Sequence, residues 1–258
     1  EIHNARLSQH NERYTDHLYK RLHRKGYILR DCQRLVNQNR NVFASAMIQA
    51  GDADAMITGL TRSFSINFDD IRLVIDPLPS GVVGLSIAIA PDRTVLIADT
   101  TAHVDPSAHE LADIAIQAAG WAQRMGHEPR VAMLSFTSFG QPAVNSVKHV
   151  YEAVRILDER EVKFEYDGEM AADIALDYEL MKRHYPFCRL TGPANVLIMP
   201  NLPAANIAAK LLQNIGGVTL LGPILIGLEK PAQIVRMGAT VSDLVTTAVL
   251  AAYQTIKG

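Results

Sequence analysis

Several polar side chains in this chain follow apolar runs and have the spacing of a binding site for an anionic ligand. Ser135, Thr137 and Ser138 follow one apolar strand and precede a glycine. Hydroxyls and backbone N–H groups just past a strand end suit phosphate or carbonyl groups. Asn206 and Lys210 are four residues apart in a predicted helix and therefore share a face. Alternatively, the hydroxyls only cap a helix, and Lys210 is an ordinary solvated lysine.

A second group of polar residues lies before the last helix. Arg236 precedes Thr240 and Asp243, which follow the T-x-x-D pattern of a capping box. The pattern predicts that Asp243 caps the last helix. Asp167 and Glu169 form an acidic pair, predicted here as a turn leading into a helix over 170–176. One interpretation is that both carboxylates take part in acid–base chemistry. The other is that Asp167 is a turn residue and Glu169 an acid in the first turn of the helix, where the helix dipole favours it.

The elements around these residues predict where a ligand binds. An apolar strand over 196–199, a helix over 204–215 and a second strand over 218–221 form a right-handed βαβ unit with parallel strands. Ligands of parallel sheets bind beyond the carboxyl ends of the strands. Those ends carry Pro200-Asn201 and Gly222-Pro223, so we expect Pro223 to lie at the site.

The rest of the pattern indicates an α/β protein with mostly parallel sheets. Residues 1–50 are expected to be helical, and a short strand is predicted over 53–57. Runs over 82–90 and 94–98 predict an antiparallel hairpin. Ser107 and Glu110 form a capping box that opens a strongly amphipathic helix.

Composition excludes several classes of function. The chain has 258 residues, a net charge of −2 and 20% charged residues, which gives no general attraction to nucleic acid or membrane. No run reaches the ~18 apolar residues of a membrane span, and no G-x-G-x-x-G dinucleotide fingerprint follows a strand. Cys32 and Cys188 have no metal-ligand spacing, which favours reduced cytoplasmic thiols. The first residues lack Met and a signal segment, which we interpret as a fragment of a longer chain.

Short motifs along most of the chain resemble the phosphotransacetylase (phosphate acetyl/butyryltransferase) family. In chain order the matching residues are Ala98-Asp99, Asp105-Pro-Ser, Leu134-Ser135 with Gly140, Asp167-Gly-Glu-Met-Ala-Ala-Asp173, Ala194-Asn-Val, Pro200-Asn-Leu with Asn206 and Lys210, Gly222-Pro-Ile-Leu, Gly227-Leu, Lys230-Pro and Asp243.

The resemblance implies two α/β/α subdomains with a cleft between them, built from 1–128 plus 226–258 and from 129–225. It also implies assembly as a homodimer or larger homo-oligomer, with the second subdomain as the contact. An arginine near Arg72 would help bind the anionic substrate, although pairing of Arg72 with Asp69 or Asp70 on the surface is an equal alternative.

One departure separates this chain from active acyltransferases of the family. These carry Ser-Arg before the glycine that precedes the last helix, whereas Arg236-Met237 precede Gly238 here. The chain is most similar to the C-terminal phosphotransacetylase-like domain of NADP-dependent malic enzymes, which is thought to sense acetyl-CoA. NADP and a divalent metal (Mg or Mn) would then belong to the N-terminal malic-enzyme domain. An active acyltransferase and a structural dimerisation domain are the alternatives.

Overall fold

The computed structural model describes residues 2, 4–140 and 147–256. The helices are α1 Asn11–Leu22, α2 Leu29–Gln38, α3 Arg40–Ala50, α4 Phe64–Arg72, α5 Ala108–Arg124, α6 Lys148–Glu159, α7 Ala172–Leu176, α8 Tyr178–His184, α9 Leu202–Ile215 and α10 Val241–Thr255, with a 3-10 turn at His23–Lys25. The strands are β1 Met56–Gly59, β2 Val83–Ile89, β3 Thr94–Ala98, β4 Arg130–Leu134, β5 Glu165–Met170, β6 Val196–Ile198, β7 Thr219–Ile226 and β8 Ala232–Val235. The sequence also predicts a helix over 143–158, and within the described residues this helix begins at Lys148. Positions 143–146 lie outside the described residues.

The chain divides into two compact units. Unit 1 comprises Glu1–Pro79 and Gly227–Gly258, and unit 2 comprises Ser80–Ile226. The second boundary lies at 226/227, one residue from the expected 225/226, and the first lies at 79/80 instead of 128/129. The reason is hydrogen bonding, because β2 and β3 pair with β7 and β6 and therefore belong to the sheet of unit 2.

Unit 2 is a three-layer α/β/α domain around a six-stranded sheet with the order β5-β4-β6-β3-β2-β7. The strands β5, β4, β6 and β3 are parallel, while β2 runs antiparallel to both β3 and β7. This confirms the mostly parallel sheet and the predicted hairpin. Helices α5 and α6 cover one face and α7, α8 and α9 the other. Burial of both faces explains the nearly continuous apolar strands.

Strand β7 differs from its prediction in length and in neighbours. It continues through Gly222 and Pro223 to Ile226, and β3 and β2 separate it from β6. Pro223 therefore lies inside an edge strand, next to a register shift, and not beyond a carboxyl end. An edge strand tolerates proline because one of its sides has no ladder partner to receive an N–H group.

Unit 1 contains a two-stranded parallel sheet, β1–β8, with Met56 opposite Ala232 and Gly59 opposite Val235. Helices α3, α4 and α10 contact this sheet, and α1 packs against α2 and α3. The buried core of the helical part includes Tyr14 and Leu18. Among the described residues, no helix combines the length and apolar character needed to span a membrane.

The capping box of α5 gives a direct test of the local sequence signal. The Ser107 hydroxyl accepts the Glu110 N–H at 3.3 Å, and the Glu110 carboxylate accepts the Ser107 N–H at 2.7 Å. We expect Ser107→Ala to lower the free energy of unfolding of unit 2 by about 1 kcal/mol, because α5 loses its cap. Urea denaturation followed by circular dichroism measures this change.

Ser242→Ala is the matched control, because Ser242 is exposed at the start of α10 and its hydroxyl makes no hydrogen bond among the described contacts. Equal loss of stability in the two variants would contradict the capping role of Ser107.

Candidate functional site

The candidate residues of unit 2 that follow β4 are held by a network of hydrogen bonds. Thr137 and Ser138 are buried, with 1% and 6% of their surface exposed, whereas Ser135 is half-buried. The Thr137 hydroxyl donates to Glu169 Oε1 at 3.2 Å, and Ser138 Oγ accepts the Ala171 N–H at 2.9 Å. The structure therefore brings these three residues together, but all three hydroxyls have hydrogen-bond partners inside the protein, since Ser135 Oγ lies 3.0 Å from the Thr137 hydroxyl.

Glu169 organises this loop from the neighbouring strand. Its carboxylate is buried and also accepts the Gly140 N–H at 2.7 Å, while its carbonyl oxygen accepts the Phe139 N–H at 2.9 Å. A buried carboxylate requires such donors to offset its desolvation. The amides of Phe139 and Gly140 are thus directed at Glu169 and not at a ligand.

The expected acidic turn at Asp167 and Glu169 is wrong. Both residues belong to β5, and the helix that follows begins only at Ala172. Asp167 accepts the backbone N–H of Arg189 at 2.8 Å and pairs with its guanidinium at 3.3 Å. Since Asp167 and Glu169 have separate partners, they do not act as one pair of carboxylates.

Helix α9 presents Asn206 and Lys210 as the sequence predicts. Both side chains are exposed, and their spacing places them on one face. Asn201 caps the helix by accepting the Ala204 N–H at 2.9 Å. Exposed Asn and Lys side chains on one face supply N–H donors and a positive charge to an anionic ligand.

Sequence reasoning missed a His–Asp pair at the carboxyl end of β3. Asp99 is 3% exposed and accepts backbone N–H groups from Gly84, Thr101, Ala102 and His103 at 2.7 to 3.1 Å. The ring nitrogen Nδ1 of His103 lies 2.6 Å from Asp99 Oδ2. This hydrogen bond raises the pKa of His103 above its ordinary value of 6.5, although partial burial acts in the opposite direction. The D-x-x-x-H spacing directly after an apolar strand was the available signal.

In unit 1, Arg236, Thr240 and Asp243 come together at the start of α10. The Thr240 N–H donates to Asp243 Oδ2 at 2.8 Å, and the Asp243 N–H donates to the Thr240 hydroxyl at 3.2 Å. Arg236 Nη2 lies 3.7 Å from the same carboxylate. The pKa of Asp243 lies below its ordinary value of 3.8, chiefly because it accepts the Thr240 N–H, and the Thr240 side chain and Arg236 add to the effect. Asp243 is thus a cap in this structure.

Arg72, which the family resemblance suggested as a substrate-binding residue, lies on a helix and does not directly follow a strand. It is the last residue of α4, exposed, with its guanidinium 5.6 Å from the Phe68 ring centroid. The arginine that follows the carboxyl end of β1 is Arg62, whose Nη1 is 3.3 Å from Asp70 Oδ2. Arg62 is therefore a further residue that sequence reasoning did not select.

The fold is that of an α/β protein with polar residues after the carboxyl ends of parallel strands, where sheets of this kind usually bind their ligands. The chain belongs to the phosphate acetyl/butyryl transferase family. The model of this family, described as "Phosphate acetyl/butaryl transferase", matches residues 1–252. This confirms the family resemblance found in the sequence.

Individual relatives fall into two groups. The chain is 56% identical over 254 residues to an NADP-dependent malic enzyme of Rhizobium meliloti, covering 98% of this chain and 33% of that protein. It is 31% identical to a phosphate acetyltransferase of Nitratidesulfovibrio vulgaris, covering 96% of this chain and 35% of that protein. The chain thus spans about a third of the length of these relatives. A phosphotransacetylase structure from Streptococcus pyogenes matches with a TM-score of 0.91 at 27% identity, covering 98% of this chain and 78% of that one.

The His103–Asp99 pair predicts a pH-dependent stability. A raised pKa in the folded state means that the pair stabilises the fold fully below about pH 6.5, the unfolded value, and loses this contribution as the pH rises through the folded pKa. We expect the stability advantage of the wild type over His103→Gln to be largest below about pH 6.5 and to shrink as the pH rises through the raised pKa of His103. Urea titrations of both proteins across this range measure it.

The negative groups that act on His103 are Asp99, Glu110 and Asp113. His109→Gln is the control, because His109 is exposed. A constant difference between wild type and His103→Gln at all pH values would contradict the prediction, and NMR titration of the ring protons locates the pKa directly.

Proposed function

We propose that this chain is a regulatory domain of an NADP-dependent malic enzyme, that it binds acetyl-CoA, and that it does not transfer acetyl groups. The observation that carries the proposal is the start of α10. Arg236-Met237 stand where active members of the family have Ser-Arg, and the carboxylate of Asp243 is engaged in the capping box. A general base works best with a pKa near the operating pH, whereas the pKa of Asp243 is lowered.

The donor set fits a phosphate-bearing ligand such as acetyl-CoA. Within unit 2, Asn206 and Lys210 lie together on the exposed face of α9. Arginine and lysine are the usual partners of phosphate oxygens. Binding would regulate through a difference in acetyl-CoA affinity between two states of the parent enzyme, typically ~1–3 kcal/mol.

The oxidative decarboxylation of malate to pyruvate, with NADP and Mg or Mn, belongs in this proposal to an N-terminal domain of the same cytoplasmic polypeptide. The similarity to malic enzymes that are about three times as long supports this arrangement. Within the described residues, no group of three His, Cys, Asp or Glu side chains is placed to hold a metal ion.

Calorimetric titration with acetyl-CoA, followed by an assay of acetyl phosphate formation on the same sample, tests the proposal. We expect binding without turnover. Turnover would overturn the proposal in favour of an active phosphate acetyltransferase, and absence of binding would favour a structural domain. Arg236→Ser with Met237→Arg restores the family pair, so acetyl transfer in this double variant would indicate that the pair separates sensor from enzyme.

Self-association is the second part of the proposal. Helix α9 buries Ala205 and Ala209, while Ile207, Leu211 and Ile215 are 60%, 52% and 80% exposed. Three large apolar side chains at i, i+4 and i+8 form a stripe suited to a second copy of the helix. We propose that this stripe forms the contact of a homodimer or larger homo-oligomer.

Leu211→Lys should shift the protein from dimer to monomer, because a charge replaces an apolar contact at the centre of the stripe. Sedimentation velocity measures the shift. Leu29→Lys is the matched control, since Leu29 is 50% exposed on α2. An unchanged mass for Leu211→Lys would exclude this face as the interface.

A further inference from the structure

The two parallel strands of unit 1 share an arrangement at their carboxyl ends. Strand β1 is followed by Arg62, and strand β8 is followed directly by Arg236. Each arginine is paired with an aspartate from the helix that comes next: Arg62 with Asp70 of α4 at 3.3 Å, and Arg236 with Asp243 of α10 at 3.7 Å. An arginine–aspartate pair therefore occurs twice at one edge of the sheet.

A close backbone approach brings the two strand ends together. Gly59 lies opposite Val235 in the sheet, and a Cβ atom added at Gly59 would lie 2.1 Å from the Val235 carbonyl oxygen. The Gly59 φ of +130° also disfavours any side chain. A turn follows, in which the Thr61 N–H donates to the Gly59 carbonyl at 2.9 Å. The segments that carry Arg62 and Arg236 consequently leave the sheet at the same edge.

A buried polar network fixes the aspartate that holds Arg62. Asp70 accepts side-chain amide N–H groups from Asn39 at 2.7 Å and from Asn41 at 2.9 Å. Asn41 also donates to Asn67 Oδ1 at 2.9 Å, and both of these asparagines are 1% exposed. Buried polar networks are costly unless satisfied, and satisfied ones hold their members rigidly.

Arg62 is where this network reaches the surface. Its side chain is 38% exposed, against 14% for Asp70. Among the described contacts, Asp70 is the one acceptor for the Arg62 guanidinium, which carries five N–H donors. Since Asp70 fixes one side of the planar Arg62 guanidinium, the remaining N–H donors have the geometry that phosphate oxygens accept.

We propose that Arg62 is a phosphate-binding residue, that it holds an anionic group together with Arg236 at the carboxyl edge of β1–β8, and that Asp70 is its positioning residue. This deepens the proposed function and rests on it insofar as the phosphate belongs to acetyl-CoA. Free inorganic phosphate has the same chemistry at this site, so the two sources are separated by experiment.

The test compares four variants with the wild type by calorimetric titration with acetyl-CoA. Arg62→Ala should weaken binding about 10- to 100-fold, the loss produced by removing a charge-assisted hydrogen bond. Asp70→Asn should weaken it less, and the double variant should be no weaker than Arg62→Ala, because Asp70 acts through Arg62. Arg34→Ala is the matched control with wild-type affinity, since Arg34 is an exposed arginine of α2 paired with Asp31 at 3.4 Å.

Thermal unfolding with inorganic phosphate is the second probe. Phosphate should raise the Tm of the wild type and of Arg34→Ala, but not that of Arg62→Ala. If the wild type does not bind acetyl-CoA yet shows this phosphate effect, the anion site stands while the proposed function falls. If acetyl-CoA binds and Arg62→Ala equals the wild type with both probes, the assignment of Arg62 is overturned.

Arg62→Lys is a second variant that tests the role of Arg62 even if Arg62→Ala does not fold correctly. It keeps the positive charge but removes the planar fork, and we expect affinity between that of the wild type and that of Arg62→Ala. Wild-type affinity in both substitutions would show that Arg62 does not contact the ligand.

Discussion

Parallel pairing of strands is the constraint on which both units of this protein depend. Parallel strands direct all their carboxyl ends to one edge, so side chains from distant parts of the sequence meet there. In unit 1 the pairing of β1 with β8 joins residues 56–59 to residues 232–235. In unit 2 the ends of β3 and β4 carry Asp99 and the Ser135–Gly140 loop. The candidate functional side chains lie at these edges because the direction of the parallel strands places them there.

The polar groups at these edges are mostly occupied by each other. Asp99 takes four backbone N–H groups and His103, and Glu169 takes Thr137 and Gly140. Such carboxylates hold the loops that follow the strands, because each unpaired buried donor or acceptor would be costly. These carboxylates therefore have structural partners in this fold. The lowered pKa of Asp243 belongs to the same pattern.

The sequence predicted those features that depend on neighbouring residues. The capping boxes at Ser107 and Thr240 and the hairpin of β2 and β3 are local signals, and all three are confirmed. Features decided by distant pairing were not predictable from one sequence. Pro223 looked like a strand end, but the ladder with β2 extends β7 past it. The first boundary between the units lies at 79/80 and not near the expected 128 for the same reason, because local patterns do not show that β3 pairs with β6.

The candidate site shows the same division between local and distant signals. Asn206 and Lys210 share a face because their spacing alone requires it. Arg72 is sequence-adjacent to acids and close to a strand, yet α4 carries it roughly 13 Å along its axis, at 1.5 Å per residue, from the end where Arg62 lies. The importance of Arg62 emerges only when Asn39, Asn41 and Asp70 are seen to meet behind it. The phosphate-binding role proposed for Arg62 does not require the Ser-Arg pair that this chain lacks. In this proposal, the residues that would bind an anion are distinct from the pair whose absence would prevent acyl transfer.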